Sequence, residues 1–258
     1  MTAARISTTL ATTLPAGAPS TPLSRLTAIL ASRTLLFIFF QALIAGLLWL
    51  TDRTSTWADS APWWPVVAAL TNLVSIGILT WALRREGLPL TAAYHANVAT
   101  WPRDLLLTVG VYAGAAMLVS LPSVFVSQWL FADPMTPVNQ MFRPLPPWAA
   151  WLALIIFPLT VALAELPTYF GYAMPRLEAR TGRRWLAVLL PAFYLALQHC
   201  ALPLLFDGRF ILWRLLMFLP LALYMALVLR WRMRLMPYLM VGHGLIDLQA
   251  ALMLLGPG

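Results

Sequence analysis

The chain has a single cysteine, no lysine and few charges of either sign. With Cys200 alone, no internal disulfide can form, and within an apolar stretch such a residue reads as a small packing group. Only 10% of the residues are charged, against about 25% in an ordinary soluble domain, so the chain cannot wet its own surface. All 17 basic residues are arginine and the formal net charge is +8, which raises a nucleic-acid partner as a question. The arginines stand in short clusters beside apolar runs, as topology determinants do, and no nucleic-acid role is expected.

What is present is apolar: 61% of the residues are hydrophobic and the mean hydropathy is +0.78. Seven apolar segments occur, at 34–50, 63–83, 105–131, 148–166, 186–205, 211–229 and 235–255, most near the roughly 20 residues needed to cross a bilayer. The expected fold is all-α, a polytopic bundle of about seven transmembrane helices forming one domain over residues 25–258. Residues 1–24, rich in Ser, Thr, Ala and Pro and without an apolar core, are expected to be a disordered tail. Gly87 to Trp101, carrying His95, is too polar to span and is expected to lie along the interface.

Thirteen arginines, including Arg5, Arg25, Arg33, Arg84, Arg103, Arg180 and Arg230, fall on one side of this alternation, and Arg53, Arg143, Arg209 and, at a helix start, Arg214 on the other. The positive-inside rule then predicts a multi-pass protein of the cell membrane with a cytoplasmic N-terminus and the C-terminus outside. Tryptophans 63, 64, 129, 148, 151, 185 and 213 lie near predicted helix ends, where amphipathic rings suit the headgroup zone.

Few ionisable side chains remain within the predicted helices: Glu165, His199, His243 and Asp247. A central intramembrane charge costs about 2.5 to 3.5 kcal/mol on insertion scales, and such residues normally face the bundle interior. His243 and Asp247, four apart, share one helix face. A carboxylate with two imidazoles is a kit for activating water, by direct proton abstraction or through a metal. A polar cluster that merely ties helices together is the plainer reading. Gln198 and Tyr169 are possible hydrogen-bond donors, and Pro167 is expected to kink or end its helix.

Motifs of other intramembrane enzymes are missing: the chain has no HExxH, GxSG, GxGD or DDxxD. The fourth segment instead reads Glu165-Leu-Pro-Thr-Tyr-Phe170-Gly171-Tyr172, then Pro175-Arg176-Leu177, the fifth Leu195-Ala-Leu-Gln-His199, and the seventh His243-Gly-Leu-Ile-Asp247. In order and spacing, over about 148–255, these resemble the three motifs of the CAAX-protease and bacteriocin-processing (CPBP, or ABI) family of intramembrane endopeptidases: EExxxRG, FxxxH and HxxxN/D. Leu166 stands where the family has its second glutamate, Phe170 where it has arginine, and Leu195 where it has phenylalanine.

The resemblance implies hydrolysis of a peptide bond in a membrane-associated peptide or protein, with Glu165 and His199 activating water and His243 and Asp247 on the oxyanion side. Zinc held by Glu165, His199 and His243 is an open alternative. A catalytically inactive scaffold or immunity protein of the same fold, and a small proton-coupled transporter, are the competing readings.

Overall fold

The structure is a computed structural model that describes residues 21–95 and 101–255. Among these residues it is built of helices and turns, with no strand. The helices are α1 (Leu23–Thr51), α2 (Trp64–Arg84), α3 (Trp101–Phe131), α4 (Thr136–Met141), α5 (Pro147–Leu166), α6 (Met174–Thr181), α7 (Arg184–Cys200), α8 (Gly208–Trp231) and α9 (Met236–Leu252).

Local sequence explains many of the ends. Proline stands in the first turn of α2, α4, α5, α6 and α9, where its missing N–H is no loss. Asp207 caps α8 by accepting from the Arg209 N–H at 2.9 Å. Gly182 ends α6 at φ +65°, the left-handed conformation that glycine adopts without strain.

Five helical runs are long and apolar enough to cross a membrane: Leu23–Thr51, Trp57–Arg84, Trp101–Phe131, Pro147–Thr181 and Gly208–Trp231. The expectation of seven segments is met in these five, whereas α7 and α9 have only 17 residues each. Large apolar side chains cover the perimeter, among them Leu35, Phe39, Leu106, Phe125, Leu159 and Val241, all exposed. Such a continuous apolar surface suits lipid and not water, and the protein is a helical membrane bundle.

Several expected boundaries move. The tail was drawn to residue 24, yet α1 begins at Leu23, and Thr21 already donates a hydrogen bond to Glu86 at 2.8 Å; residues 1–20 lie outside the described residues. The fifth segment ends at Cys200 and not at Leu205, because the chain turns toward Pro203, which cannot continue a helix. Gly87 to His95 carries a short 3₁₀ turn, Leu90–Ala93, and 96–100 lie outside the described residues. Trp64 and Trp213, expected at the interface, are buried: Trp64 packs on Phe142 and Phe157, and the Trp213 indole N–H donates to the Ser123 carbonyl.

The interior is divided into two apolar clusters. One joins Leu26, Leu30, Leu79, Leu166, Leu195 and Leu239; the other joins Phe37, Val67, Phe157, Val161, Leu202 and Leu254. Along α1, α2 and α5 the sequence passes from one cluster to the other, with Arg33, Asn72 and Glu165 buried near that passage, and Gln198 is buried near the end of α7, just before Ala201 and Leu202 of the second cluster. Arg33, Asn72, Glu165 and Gln198 thus form a polar layer between two apolar ones.

The segment after α5 fixes the height of Glu165. Pro167 neither ends nor breaks the helix: residues Pro167–Ala173 form a buried π-helical turn that runs into α6, so the motif from Glu165 to Arg176 lies on one helical run. The Arg176 guanidinium holds Glu86, which also accepts from Tyr172 at 3.0 Å. Burial pushes the Glu86 carboxyl up, but the Arg176 hydrogen bonds and charge outweigh it and hold the group below the ordinary carboxylate value. At Gly171 a Cβ would lie 2.1 Å from the Ala93 carbonyl oxygen, so the 90–95 turn packs directly on the helix backbone. His95 sits in that turn with Nε2 3.3 Å from the Gly171 carbonyl, a structural contact.

Gly171→Ala is therefore expected to lower the thermal midpoint in detergent, the overpacking costing about 1–3 kcal/mol. Gly46→Ala and Gly77→Ala, where nothing lies within 4 Å of the added carbon, should leave it unchanged or raise it slightly. Equal behaviour of the three variants would contradict the close approach at Gly171.

Candidate functional site

Glu165 is the centre of the polar layer. Its Oε2 accepts from the Gln198 side-chain amide at 2.5 Å and lies 3.4 Å from the Arg33 guanidinium. Arg33 is 1% exposed and also donates to Gln198 Oε1 at 2.7 Å and to Asn72 Oδ1 at 2.9 Å. Asn72 donates in turn to Thr160 at 3.1 Å, and the Tyr169 hydroxyl donates to Gln198 Oε1 at 3.1 Å. The network binds α1, α2, α5 and α7 through side chains that apolar surroundings would otherwise expel.

The second carboxylate oxygen of Glu165 faces α9, with Oε1 3.5 Å from His243 Nε2. The same nitrogen is 3.2 Å from Asp247 Oδ2, so the imidazole stands between two carboxylates. Two glycines bring α9 close enough for this. A Cβ at Gly242 would meet the Tyr112 ring at 2.2 Å, and one at Gly244 would meet the Pro158 carbonyl at 2.9 Å. Flanked by these close approaches to α3 and α5, His243 has little freedom of height.

His199 occupies the last turn of α7. Its Nδ1 is 2.7 Å from the Leu195 carbonyl, which can only accept, so Nδ1 carries a proton, and in the neutral ring Nε2 is the acceptor. The ring stacks on Phe218 with centroids 3.7 Å apart. Beneath that stack lies the Arg214 guanidinium, 4.6 Å from the Phe218 ring centre and bonded to the carbonyls of His199 and Leu202 at 2.9 and 2.8 Å.

Glu165, His199, His243 and Asp247 all line one cavity of about 550 Å³, together with Arg33 and Arg214. All four residues read from the sequence are thus brought together. Two others were misread: Arg33 was assigned to the basic residues before the apolar segment 34–50, and Arg214 to a helix start on the outer side. Because α1 starts eleven residues before the first predicted segment, Arg33 lies well inside it, on the face marked by Leu26, Ile29, Leu30 and Phe37. That 3- and 4-residue spacing was the available signal. Asn72 gave none beyond being polar within an apolar helix.

The proposed zinc ligands do not fit a metal. Among the described residues no group of three or more His, Cys, Asp or Glu side chains is arranged to hold one. Glu165 Oε2 is already held by an amide and faces a guanidinium, which opposes a dication beside it. Cys200 is buried, with its sulfur near the Ala196 and Ile211 carbonyls, as a packing residue would be.

Fold and site together define an all-helical membrane protein with an ionisable cavity between two apolar layers. No family model, curated protein or solved structure matches the chain.

Arg33→Met should leave a buried carboxylate without its counter-charge and destabilise the protein by about 3–5 kcal/mol. Adding Glu165→Leu should restore most of the thermal midpoint, since replacing both members of a buried pair is often neutral. Additive losses in the double variant would contradict the pairing.

Proposed function

We propose that the protein is a membrane-embedded hydrolase that cuts a peptide bond in a membrane-associated substrate, and that it is a divergent member of the CPBP family. The observation that carries this reading is the convergence of Glu165, His199, His243 and Asp247, from three helical segments, on one cavity.

The chemistry follows from the donors and acceptors available. The Leu195 carbonyl holds the His199 Nδ1–H, so Nε2 of the neutral imidazole is the basic nitrogen, and Glu165 directs Oε1 toward α9. A water between them would lose a proton to this pair while its oxygen attacks the scissile carbonyl carbon. The resulting oxyanion would be stabilised by donation from the His243 imidazole, which Asp247 holds in place. Collapse would break the C–N bond, with the leaving amine taking the proton back and a carboxylate left on the other fragment. The departures from the first motif are compatible with this scheme. Leu166 and Phe170 are buried in the apolar cluster, and Arg33 of α1 supplies a guanidinium beside Glu165.

We further propose seven crossings, α7 and α9 included, with the arginine-rich end in the cytoplasm. In support, contacts between residues near the helix ends sort into two groups. Glu86 with Arg176, Glu178 with Arg230, and Asp104 with Arg234 form one. Arg143 with the Ala58 carbonyl, Trp57 with the Leu204 carbonyl, and Leu145 with Leu254 form the other. A reporter fused after Gly258 should then be found outside and one inserted near Gly182 inside; reversed labelling would refute the orientation.

A non-catalytic scaffold is the second reading, favoured by the Arg33–Asn72–Glu165–Gln198 network, which would tie helices together with or without chemistry. Purified variants assayed on membrane-associated peptides separate the two. Glu165→Gln keeps hydrogen bonds for Arg33 and Gln198 but removes the base, and turnover should fall about a hundredfold or more, as should that of His199→Ala. Cys200→Ala and His95→Ala should stay near wild type. Full turnover by Glu165→Gln at normal abundance would exclude the catalytic assignment and leave the scaffold.

A further inference from the structure

The charges around the cavity do not pair off. Arg33 faces Glu165, and His243 stands between Glu165 and Asp247. Arg214 has no carboxylate against it among the described residues. Its Nε and Nη2 donate to two main-chain carbonyls, and its plane lies over Phe218. The side chain is 5% exposed, lies on a helix apolar enough to cross a membrane, and borders the cavity. Capping the end of α7 satisfies two donors, but neutral carbonyls leave the net charge uncompensated. A guanidinium has five N–H donors, and one held away from water is normally paired with an anion.

We propose that this cavity binds an anionic amphiphile from the membrane, with its carboxylate or phosphate group on Arg214 and its hydrocarbon chain along the apolar wall. This binding goes beyond the hydrolase reading and does not depend on it. The wall beside Arg214 is made by Trp213, Met217, Phe218 and Val119. The indole N–H of Trp213 is already committed to the Ser123 carbonyl, and Ser120 to the Ala116 carbonyl. Trp213, Met217, Phe218 and Val119 present no free hydrogen-bonding group for the N–H and C=O groups of a peptide laid against them, whereas an acyl chain needs none. A volume of about 550 Å³ is in the range of ligand cavities.

The test is direct binding to the full chain in a neutral detergent, at mildly alkaline pH. Dibromostearic acid quenches tryptophan on contact, and its primary amide is the neutral control. For the wild type, the acid should saturate at least about tenfold lower than the amide, the scale of one charge-assisted contact. Trp213→Phe should remove most of the saturable quench. In Arg214→Gln the acid should bind like the amide, and Arg214→Lys should keep the preference for the acid. An alkyl phosphate of matched length then identifies the source: tighter binding than the acid points to a phosphate headgroup, weaker binding to a carboxylate. Equal saturation by acid and amide in the wild type overturns the proposal without any variant having to fold. So does an undiminished preference for the acid in a folded Arg214→Gln, or a saturable response to apolar peptides with none to the acid.

Discussion

A carboxylate enclosed by apolar helices is tolerated only with a counter-charge and hydrogen bonds, and Arg33 with Gln198 provides both for Glu165. The three side chains come from α1, α5 and α7, and Asn72 adds α2, so satisfying one buried charge fixes four helices at a common height. The apolar clusters on either side of this layer supply bulk attraction without direction. The polar layer supplies the register. Glycines 242 and 244 then let α9 approach until His243 reaches the free oxygen of Glu165.

The bundle and its titratable core were legible in the sequence because hydrocarbon penalises ionisable groups so heavily that the few within apolar runs stand out. Glu165, His199, His243 and Asp247 were found in that way, and the structure gathers them on one cavity. Arg33 and Arg214 were not found, since an arginine near a hydrophobic run looks the same whether it ends a helix or enters it. The start of α1 at Leu23 decides the first case, and the start of α8 at Gly208 the second. Pro167 misled in the opposite direction: a residue that usually interrupts a helix is absorbed here by a π-helical turn, and the motif runs on to Arg176.

Under the proposed CPBP reading, the departures from the first motif acquire a physical sense from the same geometry. With Leu166 and Phe170 both buried among apolar neighbours, no charge is stranded where the family carries a glutamate and an arginine. The guanidinium beside Glu165 arrives from another helix. A carboxylate so held is fixed at one oxygen by Gln198 and Arg33, while Oε1 faces His243 of α9, and that second oxygen is the one the proposed hydrolysis uses.

The chain has only three glutamates, and each has a guanidinium partner: Glu86 with Arg176, Glu165 with Arg33, and Glu178 with Arg230. Solid-state NMR on protein labelled with ¹³C at the glutamate carboxyl and ¹⁵N in the arginine guanidinium reads these pairs directly through dipolar dephasing. Three dephased carboxyl signals are expected in the wild type, and the Arg33→Met variant should lose the one that Glu165→Gln also removes. Persistence of all three in Arg33→Met, or a Glu165 signal that never dephases, would contradict the pairing on which the polar layer rests.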